Sequence, residues 1–211
     1  RVEGKVIAVI PGVPAEVKIM LPDGVIPLFR EAFPEAARHV ATRIFKVFGI
    51  SEAGVDKLLS DIDFAALGVE IGFYPDFPEI HVQLKARTAT EAEARERLAR
   101  AEAEVMARLK DNVFGYDEQT LEGVVAALLT GRGLTLAVAE SLTGGLITDR
   151  LTDIPGSSKF LERGCVTYSN ASKTDLLGVP EEILREHGAV SEQTAVRMAV
   201  GVRALAKTDL G

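Results

Sequence analysis

The chain has 211 residues, 47% of them hydrophobic, a formal net charge of -7 and a single cysteine, Cys165. Such a chain can bury one large core or two small ones, and no apolar run approaches the ~20 residues that a bilayer helix needs. The acidic balance argues against a general nucleic-acid binder, and one cysteine cannot build an internal disulfide framework, which fits a reducing cytoplasm.

The first residue is Arg1, and the chain closes on Asp209-Leu210-Gly211 just after a helix-like segment, where another strand can begin. Both ends read as cuts in a longer polypeptide. No basic segment followed by a short apolar stretch opens the chain, so no secretion signal is expected. Residues 5–10 read as a buried strand. Pro11-Gly12-Val13-Pro14 reads as a turn, and residues 15–20 as a helix start with Glu16 in the first turn. Residues 1–33 have too little around them for a core of their own and read as the tail of a preceding α/β domain.

Residues 36–115 read as a small α+β domain in the order strand, helix, strand, strand, helix. Residues 42–48 are strand-like. Ser51 is placed to cap a short helix carrying Val55, Leu58 and Leu59. Val69, Ile71 and Phe73 alternate with polar or small residues, as do Ile80, Val82, Leu84 and Ala86 with His81, Gln83, Lys85 and Arg87. Pro75-Asp76-Phe77-Pro78 turns between these strands. Thr90 and Glu93 form a capping box for a long helix with the stripe Leu98, Ala101, Val105, Leu109. The row His81, Gln83, Lys85, Arg87 is either a binding face or an ordinary solvated one. No Gly-x-x-Gly loop in a basic setting accompanies it, so RNA binding is not expected.

From residue 117 helices and strands alternate, which predicts a parallel sheet between helix layers. Leu121, Val124, Val125, Leu128 and Leu129 form a stripe ended by Gly131 and Gly133. Residues 134–139 read as a buried strand and residues 144–151 as a helix. Pro155-Gly156-Ser157-Ser158 is a turn and residues 164–168 the next strand. Asn170 is the expected cap of the helix carrying Lys173, Leu176 and Leu177, which Gly178 stops. Pro180 opens another helix, and Ser191 caps the last one, with Ala195, Met198, Ala199, Val202 and Leu205 along one side.

The ends of the two strands carry the chemistry. Glu140-Ser141-Leu142-Thr143-Gly144-Gly145 delivers a hydroxyl beside glycines that allow close backbone approach, ahead of a helix N-terminus with free N–H groups. Ser141 reads either as a nucleophile or as a helix cap. Lys173 falls near N3 of its helix, where the positive helix end disfavours a cation and should push its pKa down. A neutral lysine amine is a competent base for a serine, and a solvated lysine is the other reading. Tyr168 can donate a hydrogen bond or relay a proton, or be a partly buried aromatic. Cys165, within a strand, reads as a small buried hydrophobe. His39, His81 and His187 are dispersed and suggest no metal site, and neither a Walker loop nor Gly-x-Gly-x-x-Gly is present.

Ala139-Glu140-Ser141-Leu142-Thr143-Gly144-Gly145, Pro155-Gly156-Ser157-Ser158, Val166-Thr167-Tyr168-Ser169-Asn170 with Lys173, and Gly188-Ala189-Val190-Ser191-Glu192 together resemble the C-terminal domain of the CinA family over residues 117–211. Residues 36–115 resemble that family's KH-type linker domain. Pro11-Gly12-Val13-Pro14-Ala15-Glu16 resembles the end of its N-terminal domain, which is similar to molybdopterin-binding folds. The resemblance implies an α/β chain with a three-layer C-terminal domain. It also implies hydrolysis of nicotinamide mononucleotide to nicotinate mononucleotide and ammonia, with Ser141, Lys173 and Tyr168 as the catalytic centre. Glu140, Thr143, Gly144, Gly145 and Asn170 would contact substrate, with the N–H groups near Thr143, Gly144 and Gly145 holding an oxyanion. No cofactor is implied for that reaction. The family's N-terminal domain is similar to an ADP-ribose pyrophosphatase using a divalent metal, and a non-catalytic, competence-related binding role is the alternative. A small-molecule nucleotide, no nucleic acid, no membrane and a homodimer are the implied partners. Leu142 stands where the family often has cysteine, and the Thr-Gly-Ile-Ala-Gly-Pro segment that the family carries next is not in this sequence.

Overall fold

A computed structural model describes residues 5–34 and 39–211. Arg1 and the boundary expected at residue 36 lie outside them. The chain divides into two compact units, Arg1–Asp117 and Glu118–Gly211. Among the described residues, no helix is long and apolar enough to cross a membrane.

In the first unit, α1 (Pro14–Met20) runs through a π-helical turn, Leu21–Val25, into α2 (Ile26–Ala32), and none of the three buries a residue. The strand expected over residues 5–10 does not form. Only Lys5 makes a bridge, and Val9 is 89% exposed. An extended segment is stable only within a sheet, and no described strand forms a ladder with this one.

The remainder of the unit is an antiparallel sheet of β1 (His39–Val47), β2 (Val69–Asp76), β3 (Glu79–Thr88) and β4 (Val113–Tyr116), in the order β2-β3-β1-β4. The period-two alternation on β3 decides which face is covered, because Ile80, Val82, Leu84 and Ala86 are buried while their neighbours face outward. Against that face lie α3 (Glu52–Leu59), α4 (Phe64–Leu67) and α5 (Glu91–Leu109). Ser51 caps α3 by accepting from the Gly54 N–H. Thr90 Oγ1 caps α5 by accepting from the Glu93 N–H, but the Glu93 carboxylate turns to Arg97 at 2.7 Å, so only half of the capping box forms. Ala94, Leu98, Ala101, Val105 and Leu109 put the α5 stripe into one core with Phe45, Val82 and Leu84. Full burial of a valine, leucine or phenylalanine stabilises by roughly 1.5–3 kcal/mol.

The second unit has the alternation that the sequence predicts. In chain order come α6 (Leu121–Arg132), β5 (Leu136–Glu140), α7 (Leu146–Thr152), β6 (Leu161–Val166), α8 (Asn170–Leu177), α9 (Glu181–His187) and α10 (Glu192–Ala206). Strands β5 and β6 pair in parallel. Leu210 bridges Leu136 in parallel, with the Ala137 N–H donating to Leu210 O while the Leu136 N–H donates to Phe160 O. Successive N–H groups point to opposite edges, so both edges of β5 are engaged at this point. Its two faces feed two cores. Leu136 and Val138 pack with Ala126, Leu129, Leu151 and Phe160. Ala137 and Ala139 pack with Leu177, Val179, Met198 and Val202. A sheet between two apolar layers is thereby built, and the carboxyl ends of β5 and β6 sit side by side.

Two helix starts differ from expectation. Helix α7 begins at Leu146 rather than residue 144, because Gly144 and Gly145 adopt φ of +62° and +107°, which a right-handed helix cannot use. Helix α8 is capped by Ser169, whose Oγ accepts from the Ser172 N–H at 3.1 Å, so Asn170 is its first residue rather than its cap. The second strand ends at Val166, two residues earlier than expected, and leaves Thr167 and Tyr168 in the loop.

Candidate active site

Ser141 and Lys173 meet where these two strand ends emerge. Lys173 Nζ lies 3.1 Å from Ser141 Oγ. The same Nζ donates to the carbonyl oxygens of Thr167 at 2.6 Å and Tyr168 at 3.2 Å. Carbonyls only accept, so two of the nitrogen's positions must be N–H. The remaining position faces Ser141. As an ammonium the lysine donates from that position to Ser141 Oγ, and as a neutral amine it offers the serine hydroxyl a lone pair there.

Lys173 is 0% exposed, which overturns the reading of a solvated lysine. Its stem leaves the first turn of α8 and its head is held by the loop that follows β6. The N–H of Lys173 bonds to Ser169 O at 3.2 Å, the first bond of the helix, which puts the residue at N4. Ser141 is not a helix cap, because the residue before Leu146 is Gly145 and has no side-chain capping bond.

The capping work falls to Glu140. Its carboxylate accepts from the N–H groups of Gly145 at 3.0 Å, Ile147 at 3.0 Å and Thr148 at 2.9 Å, and from the Thr148 hydroxyl at 2.6 Å. Glu140 is 2% exposed. Burial raises its pKa, but the bonds from the Thr148 and Thr143 side chains and the Thr148 and Ile147 N–H groups outweigh that and bring it down to about 2. The expectation that Glu140 contacts substrate is therefore corrected: its oxygens are filled by the protein and fix the turn that presents Ser141. Gly164 belongs to this arrangement, since a Cβ there would stand 2.3 Å from Thr148 Oγ1. Thr148 escapes a reading of local sequence, because its partner lies eight residues back across a turn.

The oxyanion donors change with it. The Gly145 N–H is taken by Glu140, and the Gly144 N–H donates to Ser141 O at 3.1 Å. The loop N–H groups with no acceptor among the described residues are those of Ser141, Leu142 and Thr143. Thr143, Gly144 and Gly145 thus shape the turn. Of these three only the Thr143 N–H remains, with those of Ser141 and Leu142, to meet a developing negative charge.

A cleft of about 660 Å3 opens beside Ser141, walled by Leu142, Val138, Ile147, Val190 and Met198 among others. Its charged members, Glu122 and Arg150, are ion-paired with each other. Lys173 does not line it, so an entering molecule meets the serine with the lysine behind. Asn170 lines a separate depression with Thr174, Asp175 and Arg185, which removes it from the Ser141 cleft. The Tyr168 ring is 76% exposed, and the described residues give its hydroxyl no hydrogen-bond partner, so in this structure Tyr168 serves Lys173 through its carbonyl. Cys165 Sγ lies 3.7 Å from Val138 O, and burial raises its pKa, which keeps the thiol protonated and unreactive. Thr167 Oγ1, next to this network, is a buried polar atom without a partner among the described residues.

A family model described as "CinA C-terminal domain" matches residues 118–211, and one described as "Damage-inducible protein CinA KH domain" matches residues 42–115. A CinA-like protein of Syntrophus aciditrophicus (strain SB) is 65% identical over 211 residues, covering 100% of this chain and 50% of the relative. A CinA-like protein of Geotalea uraniireducens (strain Rf4) is 45% identical over 207 residues, covering 98% of this chain and 49% of the relative. The crystal structure of competence/damage inducible protein CihA from Agrobacterium tumefaciens shares 46% identity over 43% of this chain and 53% of that one, with a TM-score of 0.40. The chain spans about half the length of the curated relatives it matches.

Proposed function

This chain belongs to the CinA family and carries its KH and C-terminal domains, and from that premise we propose that it hydrolyses the carboxamide of nicotinamide mononucleotide to nicotinate mononucleotide and ammonia. The observation that carries the reading is the 3.1 Å approach of a fully buried lysine amine to Ser141 Oγ, with two carbonyls fixing the orientation of the nitrogen. A module that only binds partners has no use for that pair.

The steps follow from the hydrogen-bond valences. The lone pair of neutral Lys173 takes the Ser141 proton as Oγ bonds to the amide carbon. The carbonyl electrons move to oxygen, where the N–H groups of Ser141, Leu142 and Thr143 are the available donors. Lys173, now an ammonium, returns its proton to the amide nitrogen, and the carbon–nitrogen bond breaks to release ammonia. Water, deprotonated by the same lysine, attacks the ester and frees Ser141. The apolar cleft beside Ser141 suits a pyridine ring, and its volume is that of a small-ligand site. The Tyr168 hydroxyl would act only on a bound substrate, from the solvent side.

The test is a trapped intermediate. Acid quench during turnover of nicotinamide mononucleotide, followed by peptide mass spectrometry, should find a nicotinoyl-nucleotide ester on the peptide containing Ser141. Ammonia release with Ser141 unmodified at every quench time, and undiminished in Ser141→Ala, would place the attack on water instead. Absence of both ester and ammonia from folded protein favours the non-catalytic, partner-binding role.

A further inference from the structure

We propose that the β2–β3 hairpin carries a zinc-class divalent cation site made by Asp76, Glu79 and His81, with Lys46 as its displaceable guard. In the sequence the three histidines are dispersed, and no ligand spacing is visible. The sheet register changes that. Glu79 and His81 are two apart on β3 and share its outward face. Asp76 pairs with Glu79 across the hairpin, and Lys46 of β1 pairs with His81 from the other side.

The distances from His81 to the two acids are near those of a ligand set. One ligand atom from each of the three residues lies within 4.8 Å of the others. His81 Nε2 is 3.1 Å from Glu79 Oε2 and 3.7 Å from Asp76 Oδ2. Bonds of about 2.0–2.1 Å around a tetrahedral zinc put neighbouring ligand atoms about 3.3 Å apart, between those two values. The Glu79 and His81 side chains are only 15% and 17% exposed, so both are held by the sheet rather than free in solvent.

A second observation points to a cation. Lys46 Nζ lies 3.1 Å from the same His81 Nε2 that Glu79 approaches at 3.1 Å. The carboxylate asks this nitrogen for a proton, and the ammonium asks it for a lone pair. A single ring nitrogen cannot answer both. A divalent cation at the centre resolves the conflict, because imidazole and both carboxylates all offer it lone pairs. Lys46 then swings its long stem away. One imidazole and two carboxylates suit zinc, with water completing the shell, whereas magnesium prefers oxygen ligands throughout. The inference is independent of amide hydrolysis, since its readout is metal binding.

Untagged protein, stripped of metal, is titrated with zinc chloride against a chromogenic chelator. One ion should bind per chain. Glu79→Gln and His81→Ala should each weaken binding by on the order of tenfold or more, since losing a ligand costs at least what losing an outer-shell partner costs. Lys46→Met should tighten it, and excess magnesium chloride should not compete. Circular dichroism checks the variants, and Asp76→Asn, at an exposed position, serves if His81→Ala fails to fold. No stoichiometric zinc bound by wild type and by Lys46→Met, or binding unchanged in His81→Ala, would overturn the site.

Discussion

Glu140 is the residue whose role departs furthest from its sequence context. An acid beside a serine and two glycines reads as a substrate contact, yet its carboxylate is consumed by the turn that aims Ser141. Its pKa is depressed from the ordinary 4.5 to about 2. A depressed carboxylate contributes stability that is fully present above its unfolded pKa and is lost as pH falls through the folded one. The window for Glu140 is therefore about pH 4.5 down to pH 2, and the shift corresponds to roughly 3 kcal/mol. In Glu140→Gln the urea midpoint at pH 7 should fall, and the loss on going to pH 3 should shrink relative to wild type. Parallel pH profiles for the two proteins would contradict this role.

Much was legible at the scale of elements. The alternation of β3, the caps at Ser51, Thr90 and Ser191 and the stripe of α5 are local patterns, and the structure follows them. The pairing of Ser141 with Lys173 was also within reach, because each follows a strand in an α/β alternation and adjacent parallel strands bring such ends together. What local reading lacks is partnership. Residues 5–10 look like a strand but have no described ladder, and Tyr168 falls outside β6, so its carbonyl rather than its hydroxyl faces Lys173. The glycines of the Ser141 turn gave the helix start away only in part. Gly145 at φ +107° is farther from left-handed helical geometry than Gly144 at +62°. A Cβ on Gly145 meets only Val166 at an ordinary 3.6 Å, so the penalty for alanine there is backbone strain. Gly145→Ala should cost about 1–3 kcal/mol in chemical denaturation, and more than Gly144→Ala. Equal, negligible costs would show that the turn is not held as described.

At the scale of the whole chain, each unit has its own core, one built on Phe45, Val82 and Leu84, the other on apolar layers either side of β5. The chemistry proposed for the chain lies within the second unit, and the cation site proposed lies within the first, so each can fail without the other. The central claim is that Ser141 is a nucleophile served by Lys173. Its most direct test is ammonia release from nicotinamide mononucleotide by the full-length protein, wild type beside Ser141→Ala, Lys173→Met and Lys173→Arg. Arginine keeps the charge but cannot give up a proton, so it should rescue nothing. Wild type should release ammonia, Ser141→Ala should release none above background, and both lysine variants should fall by about 100-fold or more, as expected for loss of a general base. Ammonia release that survives in Ser141→Ala, or that Lys173→Arg restores, would contradict the account.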